Sequence, residues 1–181
     1  MTGNSGYMQR YAMLFGAYMS ILWICKFIFF FLPALQGPND VLFLLFMLAT
    51  LFVPFLGYYY AKRYRDLSCE GVISFASAWL FTAFMYVCAA LLTSIVHYVY
   101  FRYFDQGYVI GQLRAIIDAI PTEEVPLAAS YMETMDNNID MLETLTPFDI
   151  MITMLVQNIY YGVWLSLFTA LFVMRREKRL R

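Results

Sequence analysis

Four long stretches of apolar residues dominate the chain, and each is about as long as a lipid bilayer is thick. They cover residues 11–35, 41–61, 71–101 and 150–174. Three of them contain no Asp, Glu, Lys or Arg, and the first contains only Lys26. Because about 20 apolar residues are enough for a helix to cross the hydrocarbon core, the sequence predicts an integral membrane protein.

The composition indicates the same class of protein. Hydrophobic residues make up 62% of the chain and charged residues 14%, whereas about 25% of residues are charged in a soluble domain. Such a chain has too little polar surface to cover a water-soluble globule. We expect an all-α fold, a polytopic membrane four-helix bundle that forms one membrane domain over residues 1–181, with spans at 11–33, 41–61, 72–101 and 148–174.

Residues 104–146 form the one sizeable extramembrane segment, an insert between spans three and four. Apolar residues recur there at helical spacing in two runs: Val109, Leu113, Ile116, Ile117 and Ile120, then Ala128, Tyr131, Met135, Ile139 and Leu142. This pattern predicts an extracytoplasmic helical hairpin. The insert ends at Thr146, Pro147 and Asp149. A threonine cap, a proline at the first helical position and an early carboxylate are typical of a helix start.

Basic residues lie mostly on one side of the predicted bundle. If the N-terminus, the loop after span two and the C-terminal tail share a side, that side holds nine Lys and Arg residues, and the other holds two, Arg102 and Arg114. Seven of the nine are the predicted topology anchors: Lys62, Arg63, Arg65, Arg175, Arg176, Lys178 and Arg179. Because basic residues resist translocation, this bias predicts that both termini are cytoplasmic and the insert is outside.

Small residues recur every four positions in three of the spans. Within these stripes we expect helix packing at Gly16, Ser20, Ala78, Gly162 and Ser166. Small side chains let helix backbones approach closely in lipid, where the hydrophobic effect does not drive helices together. The pattern favours a packed bundle, and it does not choose between contacts within one chain and contacts between chains.

The candidate site is an intramembrane polar pocket formed by Lys26, His97, Gln157 and Asn158. Lys26 lies about 10 Å along its helix from the outer end, close in depth to Gln157 and Asn158. Charges inside a membrane are costly and indicate function by default. Two alternatives stay open: Lys26 extends its flexible stem to the outer interface, or the polar groups only form interhelical hydrogen bonds that fix helix register.

Residue patterns for catalysis or metal binding do not stand out. A single histidine cannot form a multi-histidine metal site, and no HExxH, Walker A, GxGxxG or G-x-S-x-G motif is present. We interpret Met132, Met135 and Met141 as core residues of the insert, and Glu133, Asp136, Asp140 and Glu143 as a solvated face. We therefore expect no catalytic residue, no metal and no cofactor, and three free cysteines.

Several short segments resemble the "domain of unknown function 4199" family. They are 62–66, 71–75, the end of span three at 98–100, and 145–147 leading into a last span with Gly162 and Ser166. The resemblance covers nearly the whole chain. It implies a small bacterial inner-membrane protein with four spans and an outside helical insert, and it supplies no activity. Some members are encoded near polyprenyl-phosphate sugar transferases, which indicates envelope glycan assembly by association only.

Three functions are compatible with these patterns. The first is a non-enzymatic accessory or assembly subunit that lies in the lipid bilayer and packs against a membrane-protein partner, such as an envelope glycan assembly protein, or against itself. The alternative is a lipid-handling or small-solute transport protein that uses the polar pocket. The third, an enzyme acting on lipid-linked substrates, would need paired acid and base groups near the membrane surface. We expect no nucleic-acid partner.

The charge bias yields a test of orientation. A reporter that works only in the cytoplasm, fused after Arg181, should be active because the basic tail stays inside. Activity of a fused reporter only on the outside of the cell would contradict the predicted topology.

Overall fold

The computed structural model describes residues 3–36, 40–105, 107–111, 114, 134 and 137–175. Four long helices account for most of them: α1 (Gly3–Gln36), α2 (Asp40–Ser68), α3 (Phe75–Tyr103) and α4 (Pro147–Val173). Two short helical segments, at 108–111 and 137–143, lie between α3 and α4. All four long helices are apolar and long enough to cross a membrane. The predicted all-α four-helix membrane bundle is therefore confirmed.

The helices form a ring in which α1 and α4 are not neighbours. The α3 helix packs along α1 and α4, α2 packs along α1 and less closely along α4, and α2 and α3 touch only slightly. The helices run alternately up and down, so the bundle has two distinct ends. We call the end where α1 and α3 finish the insert end, and the end that carries both chain termini the termini end.

The termini end is held together by contacts between segments that are far apart in sequence. The backbones of Ile73 and Arg175 exchange two hydrogen bonds, of 3.1 and 3.0 Å. The buried Arg65 donates a 3.1 Å hydrogen bond to the carbonyl oxygen of Val173, the last residue of α4. A cation there satisfies a carbonyl that the helix leaves unpaired and interacts favourably with the helix dipole. Arg65, expected only as a topology anchor, thus also caps α4.

Two of the helix starts follow local sequence signals. At α4, the Thr146 hydroxyl accepts from the backbone N–H of Asp149, the Asp149 carboxylate accepts from the Thr146 backbone N–H, and Pro147 is the first helical residue. The predicted start signal is thus present as a capping box. At α3, the exposed Ser74 caps the helix by accepting from Ser77, so it does not belong to the packing stripe that continues with Ala78.

Small residues lie where helices approach α3 most closely. A Cβ atom added at Gly16 would lie 2.7 Å from both the Cys88 Cβ and the Met85 carbonyl oxygen, and one at Gly162 would lie 2.8 Å from the Tyr86 Cβ. The other predicted packing residues, Ser20, Ala78 and Ser166, are buried. The stripes are therefore used within the chain, at the contacts of α3 with α1 and α4.

Only part of the insert lies within the described residues. Arg114 donates hydrogen bonds to Asp140 at 2.6 Å and to Glu143 at 2.7 Å. These bonds link the beginning of the insert to its end. These carboxylates, Glu143 first, raise the pKa of the guanidinium above its usual range. Met141 is 66% exposed, so its interpretation as a core residue is wrong. Met132, Glu133, Met135 and Asp136 lie outside the described residues, as do Arg176, Lys178 and Arg179, and the helical hairpin stays a prediction.

The contact between α1 and α3 can be tested with two glycines of the same helix. Gly16→Ala should destabilise the bundle by about 1–3 kcal/mol, because its methyl group would press on backbone atoms of α3. Gly6→Ala is the matched control, since nothing lies within 4 Å of a Cβ at that position. The readout is the midpoint of denaturant-induced unfolding in detergent. Equal midpoints for both variants would exclude a close α1–α3 contact at Gly16.

Candidate functional site

A cavity of about 330 Å³ lies inside the bundle, toward the insert end. All four helices contribute to its lining, which consists of Trp23, Lys26, Phe27, Phe30 and Phe31 from α1, Phe46 from α2, Thr93 and His97 from α3, and Met154, Gln157 and Asn158 from α4. The four residues of the predicted pocket are all among them. Similar depths along antiparallel helices bring Lys26, Gln157 and Asn158 to one level, as the spacing along the chain indicated.

The polar side chains of the cavity share no hydrogen bonds across helices. Among the described residues, Gln157 donates only to Tyr161 on its own helix, at a marginal 3.5 Å. His97 is 2% exposed, and its Nδ1 atom has no hydrogen-bond partner there. Because buried polar groups are normally paired, this arrangement is unusual. It gives no support to the alternative that these residues merely fix the register of the helices.

Lys26 carries the positive charge of the cavity. Its side chain is half-buried, and its ammonium lies 5.7 Å from the ring centroid of Trp23, one turn nearer to the amino end of α1. The Trp23 face offers a favourable cation–π contact. No carboxylate among the described residues forms an ion pair with Lys26. The location of the ammonium beside Trp23 favours the pocket interpretation over an extended stem at the interface.

Trp23 is the cavity residue that the sequence interpretation missed. It is 5% exposed, stacks on Tyr86 with 5.9 Å between ring centroids, and its indole Nε1 has no hydrogen-bond partner among the described residues. Residues three positions apart share a helix face, so Trp23 follows from Lys26 once Lys26 is known to face inward. Without that orientation, one tryptophan in an apolar span carries no signal.

Aromatic rings form much of the cavity wall on the insert side. The Phe27 ring centroid lies 4.4 Å from that of His97 and 5.3 Å from that of Tyr100. Phe30 of α1 meets Phe46 of α2 at 5.0 Å. Such walls lower the local dielectric, which strengthens any electrostatic contact that Lys26 makes inside. The site therefore combines a cationic group, unpaired ring nitrogens and an apolar enclosure.

The described carboxylates at the insert end include two that have structural partners, Asp105 and Asp140. Asp105 is buried and accepts from the backbone N–H groups of Gly107 at 3.1 Å and Val109 at 3.2 Å, so it caps the segment 108–111. Asp140 pairs with Arg114. Within the described residues, no three His, Cys, Asp or Glu side chains converge as a metal site. The Lys26 ammonium in the cavity attracts negatively charged groups.

A substitution at Asn158 distinguishes a binding role from a packing role. Its amide forms no hydrogen bond with another described residue, so Asn158→Leu should leave bundle stability in detergent within about 0.5 kcal/mol of the parent. Arg65→Met, which removes the bond to Val173, is the destabilising reference. Unfolding midpoints give the comparison. A loss with Asn158→Leu as large as that with Arg65→Met would restore the register-fixing alternative.

Comparison with known proteins bears on the family and adds no activity. The family described as "Protein of unknown function (DUF4199)" matches residues 14–175. No curated protein and no solved structure matches the chain. The matched range contains α2, α3 and α4 entirely and most of α1, and it confirms the resemblance drawn from the sequence. The chain therefore belongs to the DUF4199 family.

Proposed function

We propose that this membrane protein binds an anionic group, a phosphate or a carboxylate, in the cavity around Lys26. The observation that carries the proposal is an ammonium group inside the bundle with no carboxylate partner among the described residues. Of the functions expected from the sequence, this is the lipid-handling or small-solute role. The role is non-enzymatic, because recognition requires only the charge and the surrounding donors.

The energetics of an intramembrane lysine support this role. A lysine at the centre of a spanning helix costs about 2.5–3.5 kcal/mol on insertion scales. A bound anion offsets that cost, because opposite charges attract strongly in a low dielectric. The unpaired nitrogens of Trp23 and His97 and the amide of Asn158 can contribute hydrogen bonds to the same ligand.

The accessory-subunit hypothesis is the first expectation from the sequence, and it stays a prediction. This hypothesis is drawn from the absence of catalytic motifs, the small-residue stripes and the insert. The stripes pack within the chain at Gly16 and Gly162, and most of the insert lies outside the described residues. Purification in a mild detergent tests it: a stable partner or a homo-oligomer is expected, and a lone monomer would count against it.

We also propose the location and orientation of the bundle. The excess of basic residues at the termini end supports a cytoplasmic placement of both termini. The insert end and the cavity near it would then face the outer leaflet. The bacterial inner membrane is proposed from the resemblance to the family alone.

Replacement of Lys26 tests anion binding. Glycerol phosphate should raise the unfolding temperature of the parent protein in a neutral detergent, and Lys26→Met should abolish the rise. At a ligand concentration about 100 times the dissociation constant, binding stabilises the native state by roughly 2.7 kcal/mol. Differential scanning fluorimetry gives the measurement.

The matched control is Lys62→Met, which removes an exposed lysine at the termini end and should keep the full shift. Glycerol without phosphate should produce no shift in any variant. A shift with glycerol phosphate that is equal in the Lys26→Met and Lys62→Met variants would place anion binding elsewhere and overturn the proposal.

A further inference from the structure

The bundle is packed tightly at the termini end and loosely at the insert end. Buried residues of α2 begin only at Ala49, although the helix starts at Asp40. Buried residues of α4 begin only at Gly162, although that helix starts at Pro147. By contrast, α1 and α3 keep buried residues along most of their described length. The insert-end segments 40–48 of α2 and 147–161 of α4 therefore lie against the bundle without burying any of their own residues.

The cavity lies on the inner side of these two insert-end segments. Phe46 lines it from α2, and Met154 and Gln157 line it from α4. Gln157 is exposed on the bundle surface and yet belongs to the cavity lining. On the opposite side, rings of α1 and α3 pack together, with Phe27 near Tyr100 and Phe31 near Phe101 at 5.7 Å. The cavity thus opens sideways, between α2 and α4.

A second, separate and largely apolar groove of about 410 Å³ lies between the same two helices, nearer the termini end. Its lining consists of Pro54, Phe55 and Tyr58 from α2, and Leu165, Phe168, Thr169 and Phe172 from α4. Along α2 this groove begins 8 residues beyond Phe46, which corresponds to about 12 Å of helix rise. Because Lys26 already lies about 10 Å inside the membrane, the groove begins past the centre of the roughly 30 Å hydrocarbon core, and an acyl chain of about 15 Å that starts at Lys26 reaches only its near end.

From this geometry we infer that the ligand is an anionic lipid of the leaflet at the insert end, which enters sideways between α2 and α4. Its headgroup lies near Lys26, and an acyl chain extends from the cavity toward the near end of the α2–α4 groove. This inference rests on the proposed anion binding and adds the class of ligand and its route. The orientation matches that of a lipid in this leaflet, with the headgroup toward the insert end and the chain toward the bilayer centre.

The three tryptophans of the chain make the inference testable, because only Trp23 lines the cavity. A variant with Trp79→Phe and Trp164→Phe leaves Trp23 as the one fluorophore. This variant is placed in bilayers of unlabelled phosphatidylcholine. A fixed fraction of one lipid with brominated acyl chains is added, which is phosphatidylglycerol in one sample and phosphatidylcholine in the other. Brominated phosphatidylglycerol should quench Trp23 with a preference of at least roughly fivefold, as one basic residue near anionic headgroups provides.

Three further variants complete the experiment. Lys26→Met should lose the preference, whereas Lys26→Arg keeps the charge and should retain it, which separates charge from misfolding. A reporter with Trp23→Phe and Trp164→Phe leaves Trp79, which is 36% exposed on α3 and lines neither the cavity nor the α2–α4 groove. Trp79 should be quenched equally by both lipids.

The outcomes separate the inference from the proposed function. Preferential quenching of Trp23 that depends on the charge at position 26 supports lipid entry. If both brominated lipids quench Trp23 equally, or neither does, while glycerol phosphate still stabilises the protein through Lys26, the site binds an anion from water and the lipid inference is wrong. If neither effect depends on Lys26, both proposals fall.

Discussion

The close approach of helix backbones to α3 is the constraint on which the rest of the structure depends. In a bilayer the hydrophobic effect does not bring helices together, so association relies on van der Waals contact and on polar contacts between helices. Gly16 lets α1 reach the backbone of α3, and Gly162 lets α4 reach Tyr86 of α3. Gly57 of α2 extends the same principle, because a side chain there would overlap the Tyr86 hydroxyl. Each of the other three helices thus carries a glycine at its contact with α3.

These contacts also determine where the cavity forms. Gly57 and Gly162 hold α2 and α4 against Tyr86 toward the middle of the bundle, and Arg65 joins α2 to the end of α4 at the termini end. Toward the insert end, the last buried residue is Ala49 in α2 and Gly162 in α4. The space between them is therefore left to larger side chains that do not fill it, among them Phe46 and Met154. Tight packing at one end and an opening at the other have a common origin.

The sequence predicted those features that depend on composition, local hydrogen bonding or depth in the membrane. It identified the four helices from length and apolarity, the start of α4 from Thr146 and Asp149, and the common level of Lys26 and Asn158 from helical rise. It missed features that depend on the rotation of a helix about its axis. Uniformly apolar spans have no polar face that would fix this rotation.

Trp23 and Arg65 show the limit of such prediction. Trp23 became recognisable as a cavity residue only after the inward orientation of α1 was known, and Arg65 looked like any basic residue after a span until α4 was found to end beside it. Both roles arise from contacts between segments remote in sequence. A single sequence encodes such contacts without marking them.

Lys26 and His97 differ from the intramembrane hydroxyl groups in how they are satisfied. The hydroxyls of Thr82, Thr93 and Ser166 each donate to a carbonyl of their own helix, which satisfies them at little cost and requires no partner. Lys26 and His97 have no such local acceptor, because a lysine or histidine side chain does not return to the helix backbone as a hydroxyl does. A bundle that needed only stability would be better served by apolar residues at these two positions. Their presence therefore supports the proposed anion binding.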